Sequence, residues 1–247
     1  MIHLSRFLIG IRHSRIFRMK ALSGRLADKL IKAYPKDFTR VGETQFGDDI
    51  ELTNAGNTLL VKATRDDVIF DGRKTFDMET RKYIEVNKQK VLDITKGCLP
   101  IVTEVFELDK DFVRIGMIFE FRIPTFVGVE NDNFGKFIFD KFIAFNTNGD
   151  RSEGSMRFVY KLKVPEGGLI RNIKDYKNVI IIMNPSKGID EDGKERGCLI
   201  ISVDIQHIFD PSQKSINVDD YYKFAVNHLK QVVLPEFKLK GVDITYE

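Results

Sequence analysis

The clearest pattern in the chain runs through FVRIGMIFEFRI at positions 112–123, where Val113, Ile115, Met117, Phe119, Phe121 and Ile123 alternate with Arg114, Glu120 and Arg122. A period of two over this length predicts a strand with one face in a core and the other facing solvent or a partner. Phe7, Ile9 and Ile11 alternate in the same way and predict an opening strand over 4–17. Its phase changes near Ser14, because Ile16 falls on the opposite parity. Leu22, Leu26 and Leu30 then recur every fourth residue, which predicts an amphipathic helix ending before Pro35.

Short β-rich runs at 49–53, 58–64 and 67–70, separated by turn residues, predict a meander. Thr75 and Asp77 offer N-cap oxygens for a second helix carrying Ile84, Val91, Ile94 and Cys98, with Gly97 marking its end. After the long strand, Phe134, Phe137, Ile138, Phe142 and Phe145 predict an apolar helix. An alternating strand through Met156, Phe158, Tyr160, Leu162 and Val164 follows, and further strands are expected at 169–173, 178–183 and 198–208. Asn217, with Asp220 at the third position, predicts the cap of a last helix that buries Tyr221, Phe224, Ala225, His228, Leu229 and Val232. Pro235 is expected to close it, with a final strand at 242–246.

The order long strand, helix, meander, long helix occurs twice. Arg6, Ile9 and Gly10 in the first long strand are echoed by Arg114, Ile115 and Gly116. The expected fold is therefore α+β and internally duplicated, a largely antiparallel sheet with helices packed on one face. Residues 1–247 form a single domain in this reading, with pseudo-repeated lobes at about 1–105 and 106–247. The stretch 103–111 carries no linker composition that would separate them.

Composition adds little beyond this. A hydrophobic fraction of 43% with 20 Phe suffices for a core, and a net charge of +3 names no partner class. Charge distribution matters more. Up to Lys36 the only acid is Asp28, whereas Arg12, Arg15, Arg18, Lys20, Arg25 and Lys29 lie on the first strand and helix, placed to converge on phosphates. The alternative is a solvated face paired to acids such as Asp48, Asp49, Asp66 and Asp67. Cys98 and Cys198 are far apart in apolar surroundings and are expected as reduced thiols. Residues 1–17 lack the apolar run of a signal peptide, and no segment has the length of a membrane-spanning helix, so a cytoplasmic location is expected.

No intact catalytic signature emerges. Asp190, Glu191 and Asp192 before Gly193 resemble the start of a calcium loop, but Ile201 stands where its bidentate Glu is required. Asp49, Glu51 and Lys62 approach the acid, acid, lysine set of a metal-dependent nuclease, yet Leu60 occupies a ligand position. Gly167 and Gly168 lack the lysine and helix of a phosphate loop. Asp204 and His207 point to opposite faces of their strand and form no dyad without a bulge. His228, among aromatic residues, is either a general base tuned by burial or a core histidine.

Three stretches, FVRIGMIFEFRI at 112–123, LIISVDIQHI at 199–208 and FAVNHLKQVVLPEFKLKGVDIT at 224–245, resemble in order and spacing a sporadically distributed family of uncharacterised prokaryotic proteins of about 250 residues. Arg114 with Gly116, Asp204 with Ile205, and His228 with Phe237 carry the resemblance. The family's Arg-Tyr-x-Asn continuation of the first strand is absent here, where Ile118, Phe119, Glu120 and Phe121 stand. The resemblance implies no activity, only a patchy distribution like that of mobile or defence genes.

The expectation is thus a non-enzymatic binding or assembly protein, without cofactor or metal, whose partner is another protein and whose oligomeric state the sequence leaves open, a homodimer included. Arg114, Asp204 and His228 are its candidate functional polar residues. Two alternatives stand beside it. One is nucleic-acid binding through the basic first lobe, and the other is an enzyme with a site between the lobes.

Overall fold

The computed structural model describes residues 4–43, 49–77, 80–123, 134–143, 155–162, 176–189 and 195–246. The fold is mixed α+β, dominated by a large antiparallel sheet. Its first half contains β1 (Leu4–His13), α1 (Met19–Ala33), β2 (Arg40–Glu43), β3 (Ile50–Thr53), β4 (Leu59–Ala63), β5 (Asp67–Arg73), a small hairpin of β6 (Thr75–Asp77) and β7 (Lys82–Ile84), and α2 (Lys88–Phe106). Its second half contains β8 (Phe112–Ile123), α3 (Phe134–Phe142), β9 (Met156–Lys161), β10 (Tyr176–Ile189), β11 (Glu195–Gln213), α4 (Val218–His228), a π-helical turn (Leu229–Val233) and α5 (Leu234–Leu239).

Among the described residues, strands from both halves join one nine-stranded sheet in the order β2-β3-β4-β5-β1-β8-β11-β10-β9. Residues paired across antiparallel strands share a face. The register therefore lines up two rows of core side chains. One runs Leu59, Gly72, Phe7, Phe119 and Val203, and the next Leu52, Val61, Phe70, Ile9, Met117, Ile205 and Val179. The apolar members of both rows are buried. At roughly 1.5–3 kcal/mol for each large side chain withdrawn from water, this layer outweighs any local propensity in the chain.

Elements beyond the sheet reach these rows at defined points. Val91 of α2 sits over Gly72 so closely that a Cβ there would come within 2.5 Å of its methyl carbon. Tyr222 of α4 meets Phe7 edge-on at 5.9 Å, and Tyr246 meets Phe119 at 5.5 Å. The Tyr221 hydroxyl donates to the Ile205 carbonyl at 2.7 Å, tying α4 to β11.

Several local expectations are corrected. Thr75 and Asp77 lie in β6 and Ile84 in β7; α2 begins later, where the Asn87 side chain accepts from Lys90 N–H. Gly97 does not end α2, which continues through Pro100 to Phe106 and stops at Glu107 in the left-handed region (φ 57°). Gly97 instead accommodates Tyr34 from the end of α1. Pro235 does not terminate the last helix either. It stands in the first turn of α5, where the ring needs no N–H, after the π-helical turn has shifted the bonding pattern. Residues 242–246 form no strand, although Val242, Ile244 and Tyr246 are buried in alternation. The opening strand, expected over 4–17, ends at His13, next to the phase change at Ser14, and the Asn217 Oδ1 accepts from Asp220 N–H at 3.2 Å to cap α4 as expected. The strand expected at 169–173 and the acidic run at 190–193 fall outside the described residues, as do Gly167 and Gly168.

Candidate functional site

Side chains of the other strand parity form the second face of the sheet. Across its middle the register places Lys62, Ile69, Gly10, Gly116, Gln206, Asn178 and Lys161 in one row, and Leu60, Asp71, Leu8, Ile118, Asp204, Ile180 and Val159 in the next. Gly10 and Gly116 are thus direct partners at the centre of the sheet. Asp204 leans over Gly116, where a Cβ would meet its Oδ1 at 3.1 Å. The two backbones leave a shallow trough that longer neighbours fill.

Arg114 and Asp204, singled out from sequence, come to the same face. Burial raises the Asp204 carboxyl above its ordinary pKa, opposed by a hydrogen bond from Gln206 and by the positive charges of Arg114 and Arg157. Arg114 reaches Asp67 at 3.5 Å, and Arg12 donates two bonds to the same carboxylate at 3.0 Å each. Farther along, Asp71 is fully buried and accepts from Arg6 at 2.8 and 2.7 Å and from Arg73 at 2.7 Å. Sequence reasoning missed Arg6, Asp71 and Arg73 as a set. The one available signal was that all three sit on the polar parity of their strands.

Between these charged groups the face is apolar. Ile118, Ile180, Ile182 and Ile200 are half-buried, and Leu8 is buried beside Ile118, to which it is paired. Asn178 is buried with its Oδ1 unpartnered, next to Gln206 in register.

His228 is not brought to this face. It accepts or donates at Nε2 with the Tyr160 hydroxyl, 3.0 Å away, and burial lowers its pKa. Desolvation likewise raises the Tyr160 phenol, so the pair rests as neutral imidazole and neutral phenol. His207, on the parity opposite Asp204 as its sequence position requires, lies 6.3 Å from Tyr221 and forms no dyad with that carboxylate.

The basic N-terminal residues divide among acids of the fold. Arg12 takes Asp67, Arg15 takes Asp66 at 3.4 Å, Arg18 takes Glu107 at 3.1 Å, Arg25 lies 3.9 Å from Glu104, and Lys29 bonds Glu104 as well. Lys20 is exposed. Two of these acids, Glu104 and Glu107, come from the end of α2 and its cap, which the sequence did not place against α1.

Lys62 bridges Asp49 at 3.3 Å and Glu51 at 2.9 Å, so the three nuclease-like residues do meet, with the ammonium occupying the carboxylates. Among the described residues no group of three or more His, Cys, Asp or Glu is disposed to hold a metal ion. Among the same residues no helix is long and apolar enough to cross a membrane. Searches against protein-family models and against curated proteins return no match.

Proposed function

We propose that this chain is a binding or assembly protein that engages another protein through the second face of its sheet. The observation that carries this reading is the set of half-buried isoleucines, Ile118, Ile180, Ile182 and Ile200, on the parity turned away from the contacts of α2 and α4. Flanked by the arginine–aspartate groups of β1, β5 and β8, they have the apolar centre and charged rim of a protein interface. Arg114 and Asp204, two of the residues that carry the family resemblance, lie on this face. Membership of that prokaryotic family is part of the proposal.

Nucleic-acid binding through the first lobe has less support. Phosphate neutralisation needs cations with charge to spare, and Arg12, Arg15, Arg18, Arg25 and Lys29 each have an acid within ion-pair reach. Burial of both Cys98 and Cys198 as free thiols fits a reducing, cytoplasmic setting.

The architecture is read here as two diverged copies related about the β1–β8 seam, with helices on the core face. Outward from the seam, β5 flanks β1 as β11 flanks β8, and β4 and β10 follow. Two positions beyond Gly10 the register meets Asp67, and two positions beyond Gly116 it meets Asp204. Each aspartate is followed by a buried β-branched residue, Val68 or Ile205. The copies differ in what the aspartate holds. Asp67 takes arginines, and Asp204 takes Gln206 in a more apolar setting.

The test is affinity capture from the native cell with wild-type protein and with Ile118→Glu and Ile180→Glu. A protein retained by the wild type and lost with both variants supports the reading. Retention that is indifferent to both substitutions, or retention of nucleic acid alone, contradicts it.

A further inference from the structure

On the core face of the sheet, one row departs from the apolar rule. Ile50, Ala63, Val68, Ile11 and Ile115 continue the pattern, but the next two strands contribute His207 and Lys177, paired with each other. These two polar side chains meet the aromatic face of α4, His207 beside Tyr221 and Lys177 over Phe224. They border an open cleft of about 250 Å³ between β10, β11 and the first turns of α4. Aromatic rings supply its walls. Phe209 lies 4.4 Å from the His207 ring, Tyr221 stacks toward His207, and Phe224 stacks toward His228 at 6.2 Å.

The polar groups around the cleft are not equivalent. The Tyr221 hydroxyl is spent on the Ile205 carbonyl, so only its ring is presented. Asn217 and Asp220 satisfy one another through Asn217 Nδ2 to Asp220 Oδ2 at 2.6 Å and Asp220 N–H to Asn217 Oδ1. Asp220 still has lone pairs for a further donor. Lys177 Nζ stands 4.6 Å from the Phe224 ring centroid and makes no ion pair among the described residues. An ammonium held over a ring by its charge alone swings off that ring to meet an anion, which leaves the ring face to a planar ligand.

From this we infer that the cleft is a ligand site for a small planar heteroaromatic molecule carrying an anionic group. The ring packs against Tyr221 and Phe224, the anionic group meets Lys177, and a ring N–H donates to Asp220. The volume lies just under the usual range for ligand pockets, roughly 300–1,000 Å³, which limits the enclosed part to a single base or bicyclic ring. Both a mononucleotide and a heteroaromatic carboxylate have this chemistry. The site is on the opposite face of the sheet from the proposed partner surface, so either assignment stands or falls without the other.

The test is saturation-transfer NMR and calorimetry on the full chain with three probes: guanosine monophosphate, uridine monophosphate and indole-3-carboxylate. The expected result is saturable binding of at least one, weakened about tenfold by Lys177→Met and preserved by Lys177→Arg. Preference for the nucleotides or for the carboxylate then identifies the source of the anion. Circular dichroism establishes that each variant is folded, and Phe224→Leu provides a second change that keeps apolar volume while removing the ring. The inference is overturned if none of the three probes binds, or if binding is the same in wild type, Lys177→Met and Phe224→Leu.

Discussion

The Tyr34 hydroxyl occupies the space beside Gly97 so fully that a Cβ at position 97 would lie 1.7 Å from its oxygen and 2.9 Å from the carbon bearing it. Gly97→Ala is therefore expected to destabilise the fold by about 1–3 kcal/mol through overpacking between α1 and α2. Gly24, in α1, has nothing within 4 Å of the same point. Gly24→Ala is expected to stabilise by about 0.5–1 kcal/mol through helix propensity alone. Urea midpoints of the two variants should move in opposite directions. Equal shifts would contradict the packing of Tyr34.

That contrast also shows how far the sequence could be read. The periodicity argument carries the first helix past Gly24 but takes Gly97, late in its apolar pattern, as a helix end. What distinguishes them is Tyr34, a contact made only when α1 and α2 meet. The same reason explains the other boundary differences. Pro100 lies inside α2 and Pro235 opens α5, in a helix carried past its local stop signals by the burial of Val102, Val105 and Phe237. The strand with the longest and cleanest alternation, Phe112–Ile123, was legible to the residue, whereas β1 stops short of its expected end and β10 and β11 run beyond theirs. Their order in the sheet was not, because register depends on pairing between distant segments.

The site was legible in part for a related reason. Strand parity put Asp204 with Gln206 and away from His207, and this follows from a period of two alone. Asp71 could not be recognised as a shared acceptor for Arg6 and Arg73, since that depends on β1 lying beside β5.

Asp71 provides the second prediction. It is fully buried while Arg6 and Arg73 retain contact with water, so Asp71→Asn removes the charge without a large change in shape. The expected loss is about 1–3 kcal/mol, less than the roughly 3–5 for breaking a wholly buried pair. Urea denaturation measures it, and a variant as stable as the wild type would show that the arginines contribute nothing through this carboxylate.

A third prediction concerns pH. His13 is buried beside Phe106 with Nε2 unpartnered, and desolvation lowers its pKa below the ordinary 6.5, against the opposing effects of the Ser14 carbonyl and of Asp67, Asp66 and Asp111. A histidine whose folded pKa is depressed binds more protons when unfolded. Its contribution is present above the unfolded pKa and is lost as pH falls below about 6.5. Stability should therefore decline more steeply between pH 7.5 and 5.5 in the wild type than in His13→Phe, in which His228 still titrates. Parallel pH profiles of the urea midpoint would contradict the assignment.

The central claim, that a protein partner meets the second face of the sheet, is tested most directly by a photo-crosslinking residue placed at Ile180 and, separately, at Lys32 on the exposed face of α1. Irradiation in the native cell is expected to give a protein adduct from position 180 and none from position 32. Adducts confined to position 32, or a nucleic-acid adduct from either position, would contradict it.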